Sequence, residues 1–470
     1  MVNIIVQLSK YLMILMITVY TYLCFSIFGY YDPDKKKRCL RKQNVLMFVM
    51  HLTAFLVMYL EKKDTKILAL YLMQVTLLGG TILLYSFIYP KVSRLVVNNM
   101  CMLLSIGFIM ITRLNYDKAA KQYLIAAAGI VLCLVIPIII RKVRFLSEWR
   151  ILYGIVGIVS LAVVVVVGRV SYGAMLGFTV AGINIQPSEL VKLAFILAGA
   201  ATLDRLFAKR NLIFTVLFSA YCVGCLALMS DFGTALVFFV AFLCIAFLRT
   251  GDLASIVMMT AAAGFAGGLV LHFKPYVAQR FTVWRHAWEF TQTTGYQQSR
   301  TMSAAASGGL FGTGPEDAWL KYVGAANTDL VFGVVSEEFG LLLALVCVGA
   351  VMALAVFALR SGDSARSGFY AIAACAAASM LIFQTTLNVL GAVDILPLTG
   401  VTFPFVSMGG SSMLSCWGLL AYLKAADVRR PPEERSPEDK PEKPAPKREG
   451  FFEDMPEIPV DEIFGKEGRS

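Results

Sequence analysis

The sequence predicts an all-α polytopic membrane protein. Of its 470 residues, 58% are hydrophobic and only 16% are charged, and the mean hydropathy is +0.70. Soluble domains carry about 25% charged residues. Uncharged runs such as 151–168 and 232–248 have about the length that a helix needs to cross a bilayer. Because no water reaches the backbone there, each run must pair its own peptide groups as a helix.

Apolar runs separated by polar loops indicate about thirteen candidate spans. They lie near residues 11–30, 45–60, 67–89, 99–112, 123–140, 151–168, 188–206, 212–229, 232–248, 254–273, 330–357, 368–390 and 409–425. The first run is long for the core of a signal peptide and lacks a small-residue cleavage site, so we interpret it as a retained helix.

Basic residues in the loops predict the orientation in the membrane. With the N-terminus outside, the short cytoplasmic loops hold eighteen lysines and arginines, and the short outer loops hold seven. Positively charged residues concentrate on the cytoplasmic side of membrane proteins. An odd number of spans then places the C-terminus in the cytoplasm.

Two segments depart from the alternation of spans and short loops. Residues 274–329 form a large extracellular loop that holds three of the five tryptophans, and a loop of this length is usually functional. Residues 426–470 are rich in proline and in charges of both signs. Such a composition cannot bury a core, so we expect a disordered cytoplasmic tail.

The composition argues against metal sites and nucleic-acid binding. Most of the ten cysteines lie in apolar runs, where cysteine packs as a small apolar side chain. Cys222 and Cys225 have C-x-x-C spacing, but no second pair is nearby and there are only three histidines, so no metal site is predicted. The net charge of +11 comes from basic residues in the membrane loops, which indicate the orientation of the chain and not nucleic-acid binding.

Polar residues gather where predicted helices begin on the outer side. The span near 188 opens with Gln186, Pro187, Ser188 and Glu189, and Lys192 follows. Proline suits a first helical turn, and residues three apart share a helix face. The pair of Glu189 and Lys192 is either an acid favoured by the helix dipole with its lysine partner or part of a functional site, which is the default for charges in a span.

Two further helix starts carry acids. Asp231 precedes the span near 232 and is either a simple N-cap or a site residue. Asp329 precedes the span near 330, in which Glu337 and Glu338 lie about 12 Å deeper by helical rise. Two adjacent acids at that depth cannot both face lipid, so at least one should face protein or a wet cavity.

The fourth helix start follows an irregular segment. Residues 396–412 contain two prolines and three glycines. Irregular backbone at membrane depth is tolerated only where protein or a water-filled cavity covers it, so the segment is a candidate re-entrant loop. The four helix starts together predict a polar cavity that opens outward beneath the large loop.

These motifs occur in a fixed order over about residues 100–425. They are Gln186-Pro187-Ser188-Glu189 with Lys192, Asp231-x-Gly233-Thr234, Gly295-Tyr296-Gln297, Ser307-Gly308-Gly309-Leu310-Phe311-Gly312-Thr313-Gly314, Thr328-Asp329, Glu337-Glu338-x-Gly340, Pro397-x-Thr399-Gly400 and Pro404-Phe405-x-Ser407-x-Gly409-Gly410-Ser411-Ser412. In this order and spacing they resemble the SEDS family, which includes FtsW, RodA and SpoVE.

The resemblance implies a ten-helix core over residues 99–425 and about three additional transmembrane helices in residues 1–98. Such a core polymerises lipid II, a disaccharide peptide on undecaprenyl pyrophosphate, into glycan strands outside the bacterial cytoplasmic membrane, in division, shape or sporulation. Implied partners are a class B penicillin-binding protein, the transpeptidase that crosslinks the strands, and other division or elongation proteins.

The large loop departs from the family pattern at one position. Family members carry an aspartate, regarded as catalytic, five residues before Gly-Tyr-Gln. Aligning Arg280 and Gly295 without a gap places Phe290 there. Its neighbour Glu289 is the only acid between Arg280 and Gly295, which makes Glu289 the candidate replacement.

Glycosyl transfer from a lipid pyrophosphate needs a base for the acceptor hydroxyl and positive charge for the leaving pyrophosphate. We predict Glu289 as the base, in a catalytic cavity lined by Glu189, Lys192 and Asp329. Predicted phosphate ligands, through their guanidinium forks, are Arg280, Arg285 and Arg300. Further predicted substrate contacts are Gln186, Ser188, Asp231, Gln297, Glu337, Ser407 and Ser411. A divalent cation such as Mg²⁺ is an alternative source of positive charge.

Two other classes of function fit the same motifs. A flippase for a lipid-linked precursor would also need a polar cavity, and it would translocate lipid without strand growth. A non-catalytic scaffold for a penicillin-binding protein would explain Phe290, and its cavity variants would be silent.

Overall fold

The computed structural model describes residues 2–30, 32–90, 93–142, 148–171, 174–180, 183–205, 209–273, 275–314, 318–362 and 368–426. The predicted tail over residues 426–470 therefore lies outside the described residues, apart from its first residue.

Sixteen α-helices make up most of the described chain. They are α1 Val2–Ser26, α2 Pro33–Lys62, α3 Thr65–Ile88, α4 Leu95–Leu114, α5 Tyr116–Lys142, α6 Arg150–Val167, α7 Pro187–Arg205, α8 Lys209–Leu228, α9 Phe232–Thr250, α10 Leu253–Phe273, α11 Pro275–Val283, α12 Tyr296–Gly308, α13 Val331–Phe339, α14 Leu341–Gly362, α15 Gly368–Ala392 and α16 Gly410–Ala426. Short 3-10 turns lie at Ile27–Gly29 and Leu320–Tyr322, and strands at β1 Arg169–Ser171, β2 Ala174–Val180 and β3 Ile183–Ile185.

Within these ranges, ten helices are long and apolar enough to cross a membrane, namely α1 to α6, α9, α10, α14 and α15. The other three predicted spans correspond to α7, α8 and α16, whose apolar stretches are shorter or interrupted by charge. The prediction of an all-α multi-pass membrane protein is confirmed. The predicted division at residue 98 falls inside α4 and stays a prediction.

A small antiparallel sheet, which the sequence did not lead us to expect, connects α6 to α7. The strand β2 pairs with β1 on one side and with β3 on the other. β3 ends at Ile185, two residues before Pro187 begins α7. The sheet is thus followed directly by the first turn of α7.

The helix α4 lies at the centre of the protein. All of its residues from 95 to 112 are buried, because α2, α3, α5 and α14 pack around it. Helices α1 to α3 therefore cover a face of α4 that would otherwise meet lipid.

Polar side chains on α4 find their partners on these N-terminal helices. Tyr20 on α1 donates its hydroxyl to Asn99 Oδ1 at 3.0 Å. On α2, His51 Nδ1 lies 2.8 Å from Ser105 Oγ. Each such interhelical bond contributes about 0.6–2 kcal/mol in a membrane, so these contacts tie α1 and α2 to the interior.

Gly107 on α4 permits a close approach of the backbone that precedes α16. A Cβ atom at this position would lie 2.6 Å from the carbonyl oxygen of Phe405 and 2.9 Å from that of Val406. We expect Gly107→Ala to lower the free energy of unfolding by about 1–3 kcal/mol, because backbone cannot yield as a flexible side chain does. Thermal unfolding in detergent measures the effect. Gly224→Ala, which meets nothing within 4 Å, is the control and should unfold as wild type does.

Candidate active site

The first turn of α7 carries a buried ion pair. Pro187 begins the helix, and Lys192 Nζ lies 2.9 and 2.8 Å from the two carboxylate oxygens of Glu189. Their side chains are 1% and 7% exposed. If one of the two charges were removed, the other would stay buried without a partner, so the two residues act as a unit.

Lys192 also connects α7 to α15 and to the segment before α16. Its Nζ donates to Gln384 Oε1 at 3.2 Å, and Gln384 Nε2 donates to the carbonyl oxygen of Thr402 at 3.0 Å. The hydroxyls of Thr402 and Ser412 are 2.6 Å apart. One continuous polar chain thus runs from α7 to the start of α16.

Four polar residues of α7, α9 and α16 meet around the same turn. The backbone N–H of Gln186 donates to Ser411 Oγ at 3.0 Å, and its side-chain Nε2 donates to Asp231 Oδ2 at 3.4 Å. Asp231 also caps α9 by accepting from the N–H of Thr234 at 3.2 Å. Ser188 is 3% exposed, and within the described ranges its hydroxyl has no hydrogen-bond partner. Gln186, Asp231 and Ser411 are therefore joined by hydrogen bonds, and their roles in substrate binding, with that of Ser188, stay predictions.

Asp329 lies in the turn that leads from the large loop into α13. Its backbone carbonyl accepts from Asn388 Nδ2 at 2.9 Å. Burial raises the pKa of its carboxyl to about 6, although a hydrogen bond from Thr328 and the positive charge of Arg280 oppose the shift. The carboxylate is therefore ionised at pH 7 but takes up a proton more readily than an ordinary aspartate.

The irregular segment between α15 and α16, predicted over residues 396–412, is buried at residues 401 and 403–407 and half-buried or exposed elsewhere. The Oγ of Ser407 accepts from the N–H of Phe403 at 2.8 Å and donates to the carbonyl of Thr328. Phe403 itself is only 1% exposed. Such covering is the condition under which non-helical backbone is tolerated at membrane depth.

The same segment joins the α9 start to Asp329. A Cβ on Gly233 would lie 2.4 Å from Val401 and 2.8 Å from Thr399. A Cβ on Gly400 would lie 3.5 Å from Asp329 Oδ2. Gly400 has φ +72°, which favours glycine. The start of α9 and Asp329 thus both lie against residues 399–401.

The large loop docks on this segment through α11 and the turn that follows it. Arg280 Nη1 donates to the carbonyl of Leu398 at 3.1 Å, and Trp284 Nε1 donates to the carbonyl of Ile395 at 3.0 Å. Arg280 thus lies near enough to Asp329 for its positive charge to oppose the rise in the pKa of that carboxyl.

Glu337 and Glu338 are both completely buried. The two carboxylate oxygens of Glu337 accept from the backbone N–H groups of Trp319 and Leu320 at 2.9 and 3.0 Å. Glu338 Oε2 lies 2.6 Å from Arg113 Nε. Both acids thus face protein, and the role of Glu337 in substrate binding stays a prediction.

The family model FtsW/RodA/SpoVE, described as cell cycle protein, matches residues 93–430. The chain belongs to this family. The peptidoglycan glycosyltransferase RodA of Mycobacterium tuberculosis is 28% identical over 402 residues, which cover 77% of this chain and 85% of the relative. The probable peptidoglycan glycosyltransferase FtsW of Tolumonas auensis is 34% identical over 296 residues, or 60% and 76% of the two chains.

Two solved structures share the fold. A chain from a study of how a peptidoglycan synthase complex coordinates polymerization and crosslinking aligns with a TM-score of 0.59 at 23% identity, over 72% of this chain and 97% of that chain. The rod shape determining protein RodA of Thermus thermophilus aligns with a TM-score of 0.55 at 22% identity, over 72% and 96%. The predicted FtsW/RodA/SpoVE membership is confirmed, and α1 to α3 precede the matched region.

Phe290, which aligns with the family's loop aspartate, lies in a turn at the surface. Phe290 is 37% exposed, and its carbonyl accepts from the N–H of Gly295 at 3.1 Å. The side chain of Glu289 is exposed. Glu289 therefore stands outside the buried polar group around α7, and its role as the base stays a prediction.

The remaining predicted ligands lie along the same loop. Arg285 is exposed and has a positive φ of 65°. Arg300 lies over the ring of Tyr296 at 5.4 Å, and Gln297 is half-buried one residue after Tyr296. Phosphate and substrate contacts by Arg285, Arg300 and Gln297 stay predictions.

Two residues of the site were missed in the sequence. Gln384 and Asn388 lie one turn apart on α15, are buried, and contact Lys192 and the backbone of Asp329. Amides four residues apart share a helix face, and polar groups within an apolar span are costly. Two amides spaced four residues apart in an apolar span would therefore have indicated this polar helix face from the sequence.

Proposed function

We propose that this protein is a peptidoglycan glycosyltransferase that polymerises lipid II at the outer face of the cytoplasmic membrane. The proposal rests on family membership together with one structural observation. Asp329 and Arg280 combine a carboxyl whose pKa is raised to about 6 with a guanidinium group, where the large loop meets the α15–α16 segment. A base beside a cation is the pair that glycosyl transfer from a pyrophosphate requires.

In the proposed reaction, Asp329 takes the proton of the acceptor sugar hydroxyl. The hydroxyl oxygen forms a bond to the anomeric carbon of the donor, the bond from that carbon to the phosphate oxygen breaks, and the lipid pyrophosphate leaves with its electron pair. Arg280 stabilises the departing negative charge. Attack opposite to the leaving group inverts the anomeric centre and gives a β-linked strand.

Asp329 is a stronger candidate for the base than Glu289. Glu289 is exposed on the loop surface, outside the polar contacts that surround the α15–α16 segment. Asp329 is half-buried, its backbone carbonyl is held by Asn388, and burial raises the pKa of its carboxyl to about 6. A positioned base with a pKa near the working pH is the more effective catalyst.

The charge on the pyrophosphate raises the question of a divalent cation. Among the described residues, no group of three or more histidine, cysteine, aspartate or glutamate side chains is placed to hold a metal ion. Mg²⁺ is commonly held by one or two carboxylates together with substrate phosphates; because Asp329 is assigned as the base, an ion here would be held through the substrate phosphates. When bound, the ion would neutralise phosphate charge.

The chain is further proposed to work with a class B penicillin-binding protein and with other division or elongation proteins. A structural neighbour from a peptidoglycan synthase complex supports a crosslinking partner. We propose the orientation predicted from the basic loops, with the N-terminus outside and the C-terminus in the cytoplasm. In this orientation α7, α9, α13 and α16 all begin at the outer side.

A polymerisation assay on purified protein tests the proposed function. Lipid II is incubated with the protein alone and with a cognate transpeptidase, and glycan strands are separated by length. Strand growth supports the proposal. Translocation of lipid II across vesicle membranes without strand growth would favour a flippase. Binding of the partner with neither polymerisation nor translocation would favour a scaffold, the alternative that Phe290 supports.

The proposed base predicts the pH dependence of polymerisation. Since only ionised Asp329 accepts a proton, and its pKa is raised to about 6, the rate should fall about tenfold per pH unit below pH 6 and level off above pH 7. Initial rates from pH 5 to 8 measure the profile. A rate that stays constant from pH 5 to 8 would contradict the assignment of Asp329 as the base.

A further inference from the structure

The N-terminal helices reach the candidate active site through a buried arginine. Arg113, near the end of α4, lies 2.6 Å from Glu338 Oε2 on α13 and 3.5 Å from Glu61 Oε2 on α2. Arg113 and Glu61 are each 10% exposed and Glu338 is fully buried. The contact with Glu338 lacks hydrogen-bond alignment, so attraction between the charges carries it.

A second contact joins α1 to the same region. Lys10 on α1 donates to the carbonyl of Gly312 at 3.0 Å. Gly312 packs against the end of α13 so closely that a Cβ there would lie 2.2 Å from the carbonyl oxygen of Glu338. Lys10 and Arg113 line one small pocket beside Phe339 of α13. Both helices are thus linked to the C-terminal end of α13. Helix α1 is linked through Gly312 of the large loop, and α2 is linked through Arg113 of α4.

The helix α13 transmits this contact toward Asp329. All residues of α13 are buried, and its nine residues span about 13 Å at the usual helical rise. Asp329 precedes its first residue by two positions. Near the other end of α13, the carboxylate of Glu337 accepts hydrogen bonds from the backbone N–H groups of Trp319 and Leu320. These bonds hold α13 against the part of the large loop that leads back to it.

We propose that Glu61, Arg113 and Lys10 are positioning residues, through which the N-terminal helices α1 and α2 hold α13 and thereby set the place of Asp329 for polymerisation. This inference rests on the proposed function. The additional helices are then a built-in support for the reaction site, since a shift of about 1 Å at a reacting group lowers the rate as much as 100-fold.

The first test compares two variants of α2 in the purified full chain. Glu61→Gln removes one charge and leaves the pair of Arg113 and Glu338 in place. The matched control is Gln43→Leu on the same helix, because Gln43 Oε1 accepts from Asn98 Nδ2 on α4 at 3.0 Å but lies far along α2 from Glu61. We expect Glu61→Gln to lower kcat about tenfold with KM changed less than twofold, and Gln43→Leu to leave both within twofold. Equal effects of the two variants on kcat would overturn the proposal.

A conservative replacement separates position from general stability. Arg113→Lys keeps the charge and should retain more of kcat than Arg113→Gln, at matched thermal stability. If Lys10→Gln combined with Glu61→Gln has no larger effect on kcat than either alone, the two contacts act through one support, as proposed. If all these variants lose activity only in proportion to the folded fraction, the residues are structural and the proposal is wrong.

Hydrogen exchange tests the inference without activity. Backbone amides of residues 318–330 should exchange about tenfold faster in Glu61→Gln than in wild type, and should be unchanged in Gln43→Leu. If the wild-type protein makes no glycan strands, the proposed function fails, but faster exchange would still support the positioning contact. Unchanged exchange in Glu61→Gln would overturn the inference while leaving the proposed function intact.

Discussion

Purified Asp329→Asn protein is expected to polymerise lipid II about 10²- to 10⁴-fold more slowly than wild type, because an amide of the same shape cannot accept the acceptor proton. The backbone hydrogen bond from Asn388 is retained in this variant, so the turn should keep its conformation. Initial rates of strand growth at saturating lipid II measure the loss. The inflection near pH 6 should disappear as well.

Asp394→Asn is the matched control for this variant. Asp394 is a buried aspartate near the loop and accepts from Gln298 Nε2 at 3.4 Å. Its φ of 60° suits asparagine as well as aspartate. The control should change the rate less than threefold. Full activity of Asp329→Asn, together with loss in Glu289→Gln, would return the role of base to Glu289.

Replacing Lys192 by Met is expected to lower the free energy of unfolding by about 3–5 kcal/mol, because the buried carboxylate of Glu189 loses its only ionic partner in the described part of the chain. Gln384 Oε1 loses its donor at the same time. Thermal or denaturant unfolding in detergent, followed through tryptophan fluorescence, measures the change.

A double variant shows whether the pair is the cause. Glu189→Gln combined with Lys192→Met removes both charges, so its loss should be clearly smaller than the sum of the two single losses. Unfolding of Lys192→Met at the wild-type midpoint would show that water or lipid headgroups compensate the charge, and the polar chain from α7 to α16 would then carry little stability.

The sequence alone determined the class of the protein and the ion pair at the start of α7. Long apolar runs leave no alternative to membrane helices, because a backbone in lipid must pair with itself. The spacing of three between Glu189 and Lys192 predicted their ion pair, which the structure contains. These features depend on local chain geometry, and local geometry can be read from residue order.

Only the tertiary structure decided which polar groups are available for chemistry. Glu337 and Asp329 are both acids near the same helix, yet the backbone of Trp319 and Leu320 occupies the first and burial beside Arg280 raises the pKa of the second. Likewise, nothing in the order of residues shows that Arg113 joins Glu61 to Glu338. The physical reason is that hydrogen bonding and desolvation depend on distances between segments remote in sequence, and packing alone sets those distances.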